Sequence, residues 1–365
     1  MATKSVIPFF GRAWSLTIIP DAGPLANHPI VISTDTFGPE ALRIEFEIVQ
    51  MAFEGFWQAE FVIYNADGII PGTNFSLYEA VIQEGDEVIF GAGYQADVPD
   101  GGKPPVIWDG NIFYTTQDRL DVVDKRLIIH CLINRLLTTK NFLKGTLPAR
   151  ATQFTQAQFI AQNSTNPIKI DQNMWDQANA NSGISRGANQ LPRAKTYFGN
   201  PHHYLAALAD QNDLQSWFDS RKWNVDSLRN PTGPIVGTYA PLYILNGPPV
   251  REGKVSFSLI GQPQQTTLGV SFRVLLDPAV QITAPLSQVV VQKQYVKQAP
   301  INYPPQQNEF PPRPLNETDQ YVVIGVRFVG DTRGNPWYTE VTGAANVLNA
   351  VQMLGYRKES DPNHT

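Results

Sequence analysis

At 365 residues the chain exceeds the usual size of one domain, so two or three compact units are expected, each with its own core. Apolar residues make up 42% and aromatic residues 11%, as in globular proteins, and 29 prolines with 27 glycines favour turns and extended connections over helical bundles. With 28 Lys and Arg against 33 Asp and Glu, a formal net charge of -5 and no long basic run, phosphate-driven or sequence-specific nucleic-acid binding has no electrostatic basis.

From residue 12 to about 145 the sequence breaks into short strand-like runs separated by turn residues, the spacing of a sandwich or barrel. Strands are predicted at 13–19, 42–50, 55–65, 86–94, 106–114 and 126–133. In Leu42-Arg43-Ile44-Glu45-Phe46-Glu47-Ile48 apolar and charged residues alternate, which puts Leu42, Ile44, Phe46 and Ile48 on a core face and the charges on the other. The single cysteine, Cys131, stands in the apolar run Leu127-Ile128-Ile129-His130-Cys131-Leu132-Ile133 and reads as a small buried hydrophobe.

The texture changes at about 151–230, where a small mixed α/β module is predicted. Asn200-Pro201 supplies an N-cap and a first-turn proline, and Tyr204, Leu205, Leu208 and Ala209 share one stripe, giving an amphipathic helix at 201–211. A weaker helix signal lies at 153–162, and 214–218 and 222–226 read as strands.

From about 231 the β texture returns, with strands predicted at 254–260, 269–276, 288–294, 321–329 and 337–342. A proline-rich stretch, 298–315, interrupts them and reads as an extended arm of the kind that contacts something. Within it Pro304, Pro305 and Phe310 are the candidate contacts. Residues 344–354 carry a modest amphipathic signal, and the rest of the 344–365 segment reads as a polar tail.

Chemistry-bearing patterns are few. There is no G-x-S-x-G elbow, no zinc or EF-hand spacing, and Gly91-Ala92-Gly93-Tyr94 is followed by a stretch that cannot open a helix. His202 and His203 are adjacent on one helix and so diverge by about 100°, which favours surface or packing roles over a metal site. Loop carboxylates Glu84, Asp86, Glu87, Asp97, Asp100 and Asp109 leave an acid/base pair open, although Gly85-Asp86 also reads as a hairpin turn. Gly330-Asp331-Thr332-Arg333-Gly334-Asn335-Pro336-Trp337 has two readings: a hairpin loop with Asp331 and Arg333 as a surface pair, or a contact between subunits using Asp331, Arg333 and Trp337. No cofactor is expected. The apolar runs are too short to span a membrane, and residues 1–11 lack a secretory pattern, so no membrane insertion is expected and folding in a cytoplasm is.

Taken in order, several segments resemble the hub family of contractile phage-tail baseplates. They are Leu42-Arg43-Ile44-Glu45-Phe46, Phe61-Val62-Ile63-Tyr64-Asn65-Ala66, Gly85-Asp86-Glu87-Val88-Ile89-Phe90-Gly91-Ala92-Gly93-Tyr94 and Trp108-Asp109-Gly110-Asn111-Ile112. In that last segment Trp108 stands where the family often has Phe. Further on come Leu191-Pro192-Arg193-Ala194, with Ala194 in place of the family's glycine, then 259–270, 274–278 and Gly330-Asp331-Thr332-Arg333-Gly334.

Each motif is weak alone, and their order over 12–342 is the specific part. The resemblance implies two β-barrel, tube-like domains, at 1–150 and 231–343, flanking the α/β module at 151–230. It implies a non-enzymatic homotrimer in the virion's tail baseplate. That trimer would join a hexameric tail tube protein to a trimeric central spike protein, contact other baseplate proteins and line the channel through which DNA passes. Two rival readings stand beside it: a carbohydrate- or cell-wall-binding module, motivated by seven tryptophans, and a peptidoglycan-degrading enzyme using the loop carboxylates.

Overall fold

The computed structural model describes residues 6–8, 11–23, 25–26, 28–34, 42–52, 57–66, 82–98, 102–119, 125–133, 141–182, 190–212, 214–219, 222–227, 232–241, 250–252, 255–298, 315 and 318–345. The first β region holds β1 (Val6–Pro8), β2 (Arg12–Ile19), β3 (Ile30–Ser33), β4 (Ile44–Met51), β5 (Gln58–Tyr64), β6 (Glu87–Tyr94), β7 (Val106–Arg119) and β8 (Lys125–Leu132). β4 alternates as its sequence dictates: Ile44, Phe46 and Ile48 are buried, while Glu45 and Glu47 face outward. Cys131 is buried on β8, and burial pushes its thiol up from the ordinary range.

The middle of the chain supplies β9 (Leu143–Leu147), α1 (Gln153–Gln162), α2 (Gln172–Ser182), β10 (Lys195–Gly199), α3 (Pro201–Gln211), β11 (Gln215–Asp219) and β12 (Lys222–Asp226). These elements enclose a core of their own, with Leu143, Ile160, Trp175, Tyr197, Leu205, Leu208, Phe218 and Trp223 among its buried members. α3 starts at the expected cap, where the Asn200 side chain accepts the His202 N–H at 2.9 Å. Asp226, at the end of β12, ties this module to the second β region by accepting the Leu286 N–H at 2.8 Å.

The second β region holds β13 (Ile235–Pro241), β14 (Val250–Glu252), β15 (Val255–Gln265), β16 (Gly269–Leu275), β17 (Gln288–Val291), β18 (Gln320–Asp331) and β19 (Trp337–Ala344). Its ladders close a six-stranded barrel in the order β13-β15-β16-β19-β18-β17 and back to β13. In the first region the order is β3-β2-β6-β7-β8-β5-β4, and β18 pairs with β4, so one sheet runs through both regions. A single buried core also runs through both. The arm residues Pro304, Pro305 and Phe310 and the helix signal beyond residue 345 lie outside the described residues.

The two regions repeat a five-stranded unit. Chain order β4 to β8 folds with neighbours β4-β5-β8-β7-β6, and β15 to β19 folds with neighbours β15-β16-β19-β18-β17, all antiparallel. Registers agree as well: Asn111 on β7 faces Glu87 on β6, as Val322 on β18 faces Gln288 on β17. The β7–β8 ladder shifts register between Ile112 and Tyr114, and the β18–β19 ladder shifts at the corresponding place, between Val323 and Gly325. The sixth strand breaks the likeness, since β2 runs antiparallel to β6 whereas β13 runs parallel to β17.

Candidate assembly surface

The two repeats meet along β18 and β4, whose ladder runs from Gly325 opposite Met51 to Asp331 opposite Glu45. Three devices from the first region hold the β18–β19 loop at its end. Arg43 grips the Asp331 carboxylate with two bonds, Nε to Oδ1 at 3.2 Å and Nη2 to Oδ2 at 2.7 Å. Arg12 donates to the carbonyls of Asp331, Gly334 and Asn335 at 2.6, 2.5 and 3.3 Å, and its guanidinium lies 5.1 Å from the Trp337 ring centroid. Ile44 and Thr332 exchange bonds, the Ile44 N–H donating to Thr332 Oγ1 at 2.9 Å and the Thr332 N–H to the Ile44 carbonyl at 3.0 Å.

Two glycines are required at this joint. A Cβ on Gly330 would sit 2.2 Å from the Phe46 ring and 2.9 Å from Trp337, and a Cβ on Gly334 would sit 1.9 Å from an Asp331 oxygen. Asp331 is only 4% exposed, and burial by itself would raise its carboxyl. The bonds from Arg43 and the N–H groups of Arg333 and Gly334 outweigh that and hold it below the ordinary carboxylate value. The expected surface pair of Asp331 with Arg333 is therefore corrected: the cation that grips Asp331 is Arg43, while Arg333 is exposed and gives Asp331 its backbone N–H at 2.9 Å. Trp337 is 3% exposed, packed edge-on against Phe46.

Beside the joint, the outward face of the sheet carries a chain of ion pairs across four strands. Arg327 on β18 holds Glu47 on β4 with two 2.9 Å bonds and Glu340 on β19 at 3.0 Å. Arg273 on β16 holds Glu340 from its other side at 2.6 Å. Burial favours a raised Glu340 carboxyl, and the Arg273 and Arg327 bonds reverse this to leave it lowered. Next to Glu47 the like-charged Glu60 stands directly opposite on β5, and His130 Nδ1 on β8 approaches Glu60 at 3.2 Å with Tyr114 stacked on its ring at 4.2 Å.

Grooves of about 530, 420 and 380 Å³ run along this face, the largest between Val49, Met51, Ile260 and the ion-paired Arg273, Arg327 and Glu340. The three arginines Arg43, Arg273 and Arg327 are each matched by carboxylates, so the face presents neutralised polar surface rather than an anion site.

Elsewhere, some of the residues singled out for chemistry have structural work. Asp86 is 2% exposed and accepts the Gln83 and Asp21 N–H groups at 2.7 and 2.9 Å, the turn role of Gly85-Asp86. Asp97 accepts the Tyr94 N–H, Glu84 is exposed, Glu87 opens β6, Asp109 sits on β7, and Asp100 lies outside the described residues. His202 is half-buried against Phe218, and burial, followed by its neighbour His203, pushes it down to about 4. No group of three or more His, Cys, Asp or Glu able to hold a metal occurs among the described residues. All seven tryptophans are buried, at 5% exposure or less, so none offers a sugar a stacking face, and that motive for a carbohydrate-binding module falls away.

No protein-family model matches the chain, and no curated protein does. Among solved structures it is similar to the 43 kDa tail protein of prophage MuSo2 from Shewanella oneidensis, at 9% identity and a TM-score of 0.51, covering 92% of this chain and 98% of that one. The chain has the fold of a phage tail protein. A tail protein from Neisseria meningitidis MC58 matches at 10% identity and a TM-score of 0.44, over 92% of this chain and 97% of that one. An E. coli protein, c3393, described as a component of the type VI secretion system, matches at 9% and 0.47, over 83% and 73%.

Proposed function

We propose that the chain is a structural subunit of a phage-tail baseplate, a homotrimeric hub that adapts a hexameric tail tube to a trimeric central spike. The observation that carries this is the internal repeat. One chain holds two copies of a five-stranded unit joined head to tail by the β18–β4 ladder. Three such chains in a ring present six similar units to a sixfold tube, while the ring itself keeps the threefold symmetry of a spike. The fold shared with a prophage tail protein over nearly all of both chains supports the tail setting. In this reading the work is geometric and the chain is not an enzyme, consistent with Asp86 and Asp331 being spent on turns and ion pairs. The domains are the first β region to about residue 150, the α/β module to about 230 and the second β region beyond, the ranges read from the sequence.

Tagging the chain in a producing phage and labelling the tag on intact particles tests the assignment. The label is expected at the junction of tube and spike. Label on the head, the sheath or the fibres, or particles of normal build and infectivity after deletion of the chain, would overturn it.

A further inference from the structure

We propose that the outward face of the β9–β10 pair, in the α/β module, is a docking surface for an acidic protein partner, with Phe142 and Phe198 as its anchor. It rests on the tail reading above only for its setting, in which that partner is another protein of the same particle. In register, Phe198 stands opposite Lys144 and Thr196 opposite Thr146, so these four share one face. All four are exposed. The other face of the pair carries Leu143, Leu147 and Tyr197 into the module's core.

Phe198 is 66% exposed, the most of any large apolar side chain among the described residues, and Phe142, at 43%, meets it edge-on with ring centroids 4.9 Å apart. Both backbones are pinned. The Phe198 N–H donates to the Tyr204 hydroxyl at 3.2 Å, and that hydroxyl donates to the Phe198 carbonyl at 2.8 Å. The Phe142 carbonyl accepts the Thr165 N–H at 2.9 Å and the Thr165 hydroxyl at 3.0 Å. Two rings held in water on fixed backbones form an anchor that is ordered before any partner arrives, and aromatic anchors of this kind carry much of the affinity of protein contacts. The Tyr204 bonds also close the outer edge of β10 at Phe198, so a partner meets the face of the pair and does not add a strand to it.

Charge selects the partner. In a chain of net charge -5, no Asp or Glu occurs in 141–170 or in 190–209, where the charged residues, histidines apart, are Lys144, Arg150, Lys169, Arg193 and Lys195. Arg150 and Arg193 are exposed at the end of the pair away from Phe142, where the Arg150 N–H bonds to the Leu191 carbonyl at 2.8 Å. Among the described residues no carboxylate pairs with Lys144, Arg150, Arg193 or Lys195, whereas Arg43, Arg273 and Arg327 on the sheet through both β regions are all matched. An apolar knob flanked by unmatched cations is complementary to an apolar pocket rimmed by Asp and Glu. The planes of the two rings stand 89° apart, so they make one knob and not a row of parallel stacking surfaces, which favours a pocket in a protein over the bases of a nucleic acid.

Photoreactive benzoylphenylalanine in place of Thr196, carried by the full chain in phage particles, tests the face and leaves both rings intact, with Thr146 as a second probe position should the first variant fail to incorporate. After irradiation the expected adduct joins the chain to a second tail protein through a peptide of net negative charge, identified by mass spectrometry. Adding Phe198→Ala or Lys144→Glu is expected to lower the adduct yield by about tenfold, while Lys144→Arg keeps it and an acid-to-lysine change in the partner peptide restores the Lys144→Glu yield. Both side chains are exposed, so these variants are expected to melt where the parent does. An adduct with another copy of this chain, with DNA or with a peptide that is not acidic, or no adduct in particles that contain the chain, overturns the docking surface and leaves the tail reading standing. Particles that lack even the parent chain overturn both.

Discussion

Asp331 is the side chain on which the joint between the two repeats turns, because it is almost wholly buried and both of its oxygens are taken by Arg43. Asp331→Asn keeps the volume and removes the charge, so it should cost about 1.5–3 kcal/mol of stability, the range for hydrogen bonds to charged groups, read by urea unfolding at neutral pH. The pH dependence follows from the sign of the shifts. Asp331 and Glu340 are both held below their ordinary values in the folded chain. Their contribution is present above the unfolded carboxylate range, about pH 4, and is lost as pH falls through the lowered folded values. Unfolding free energy is expected to fall as pH drops below about 4, with a shallower slope for Asp331→Asn than for the parent. Gln50 is a second single-residue link, 1% exposed, donating to the Ile107 carbonyl at 3.1 Å and accepting the Ile282 N–H at 3.2 Å. Gln50→Leu leaves two buried backbone groups unpaired, so a loss of about 2–4 kcal/mol is expected in the same measurement.

At the scale of elements, legibility followed periodicity. β4 was readable because its outward residues are charged and its inward ones apolar, and α3 because Asn200-Pro201 marks its start and three apolar residues share its inner stripe. Asn200→Ala is expected to lower the melting temperature through the lost cap, at about 1 kcal/mol. α2 escaped because Trp175 is the only large buried side chain along it, with Ala178 and Ser182 completing a stripe too small to register. β9 and β10 escaped for a similar reason, burying Leu143, Leu147 and Tyr197 between polar neighbours. β18 was legible as a strand but not as a joint: its near-continuous apolar run suits a strand with packed faces, and nothing in that run names β4 as its neighbour. The ion-pair chain was equally hidden, since Glu47, Arg327, Glu340 and Arg273 are distant in sequence and adjacent only across the sheet. Arg327→Ala is expected to cost about 1 kcal/mol and to matter less at high salt, because the pairs are half-exposed and screened.

For the whole molecule, the layout of two β regions around an α/β module was readable from turn density and from the change of texture at about 151–230, and the fold is mainly β with that insert. The repeat was not readable from residues, since the two units share registers and a bulge but little side-chain identity, Phe61 and Phe272 being one matched pair. Ladder geometry carries the likeness, while the side chains on the matched strands have diverged. The loop 330–337 had two readings, a hairpin loop with a surface pair or a contact between subunits, and neither foresaw that Asp331 and Trp337 serve the contact between repeats inside one chain. The measurement that bears most directly on the account is the mass of the native assembly across a range of protein concentrations. A complex of three copies, persisting on dilution, is the predicted result, and a chain that remains monomeric or assembles in any number other than three contradicts it.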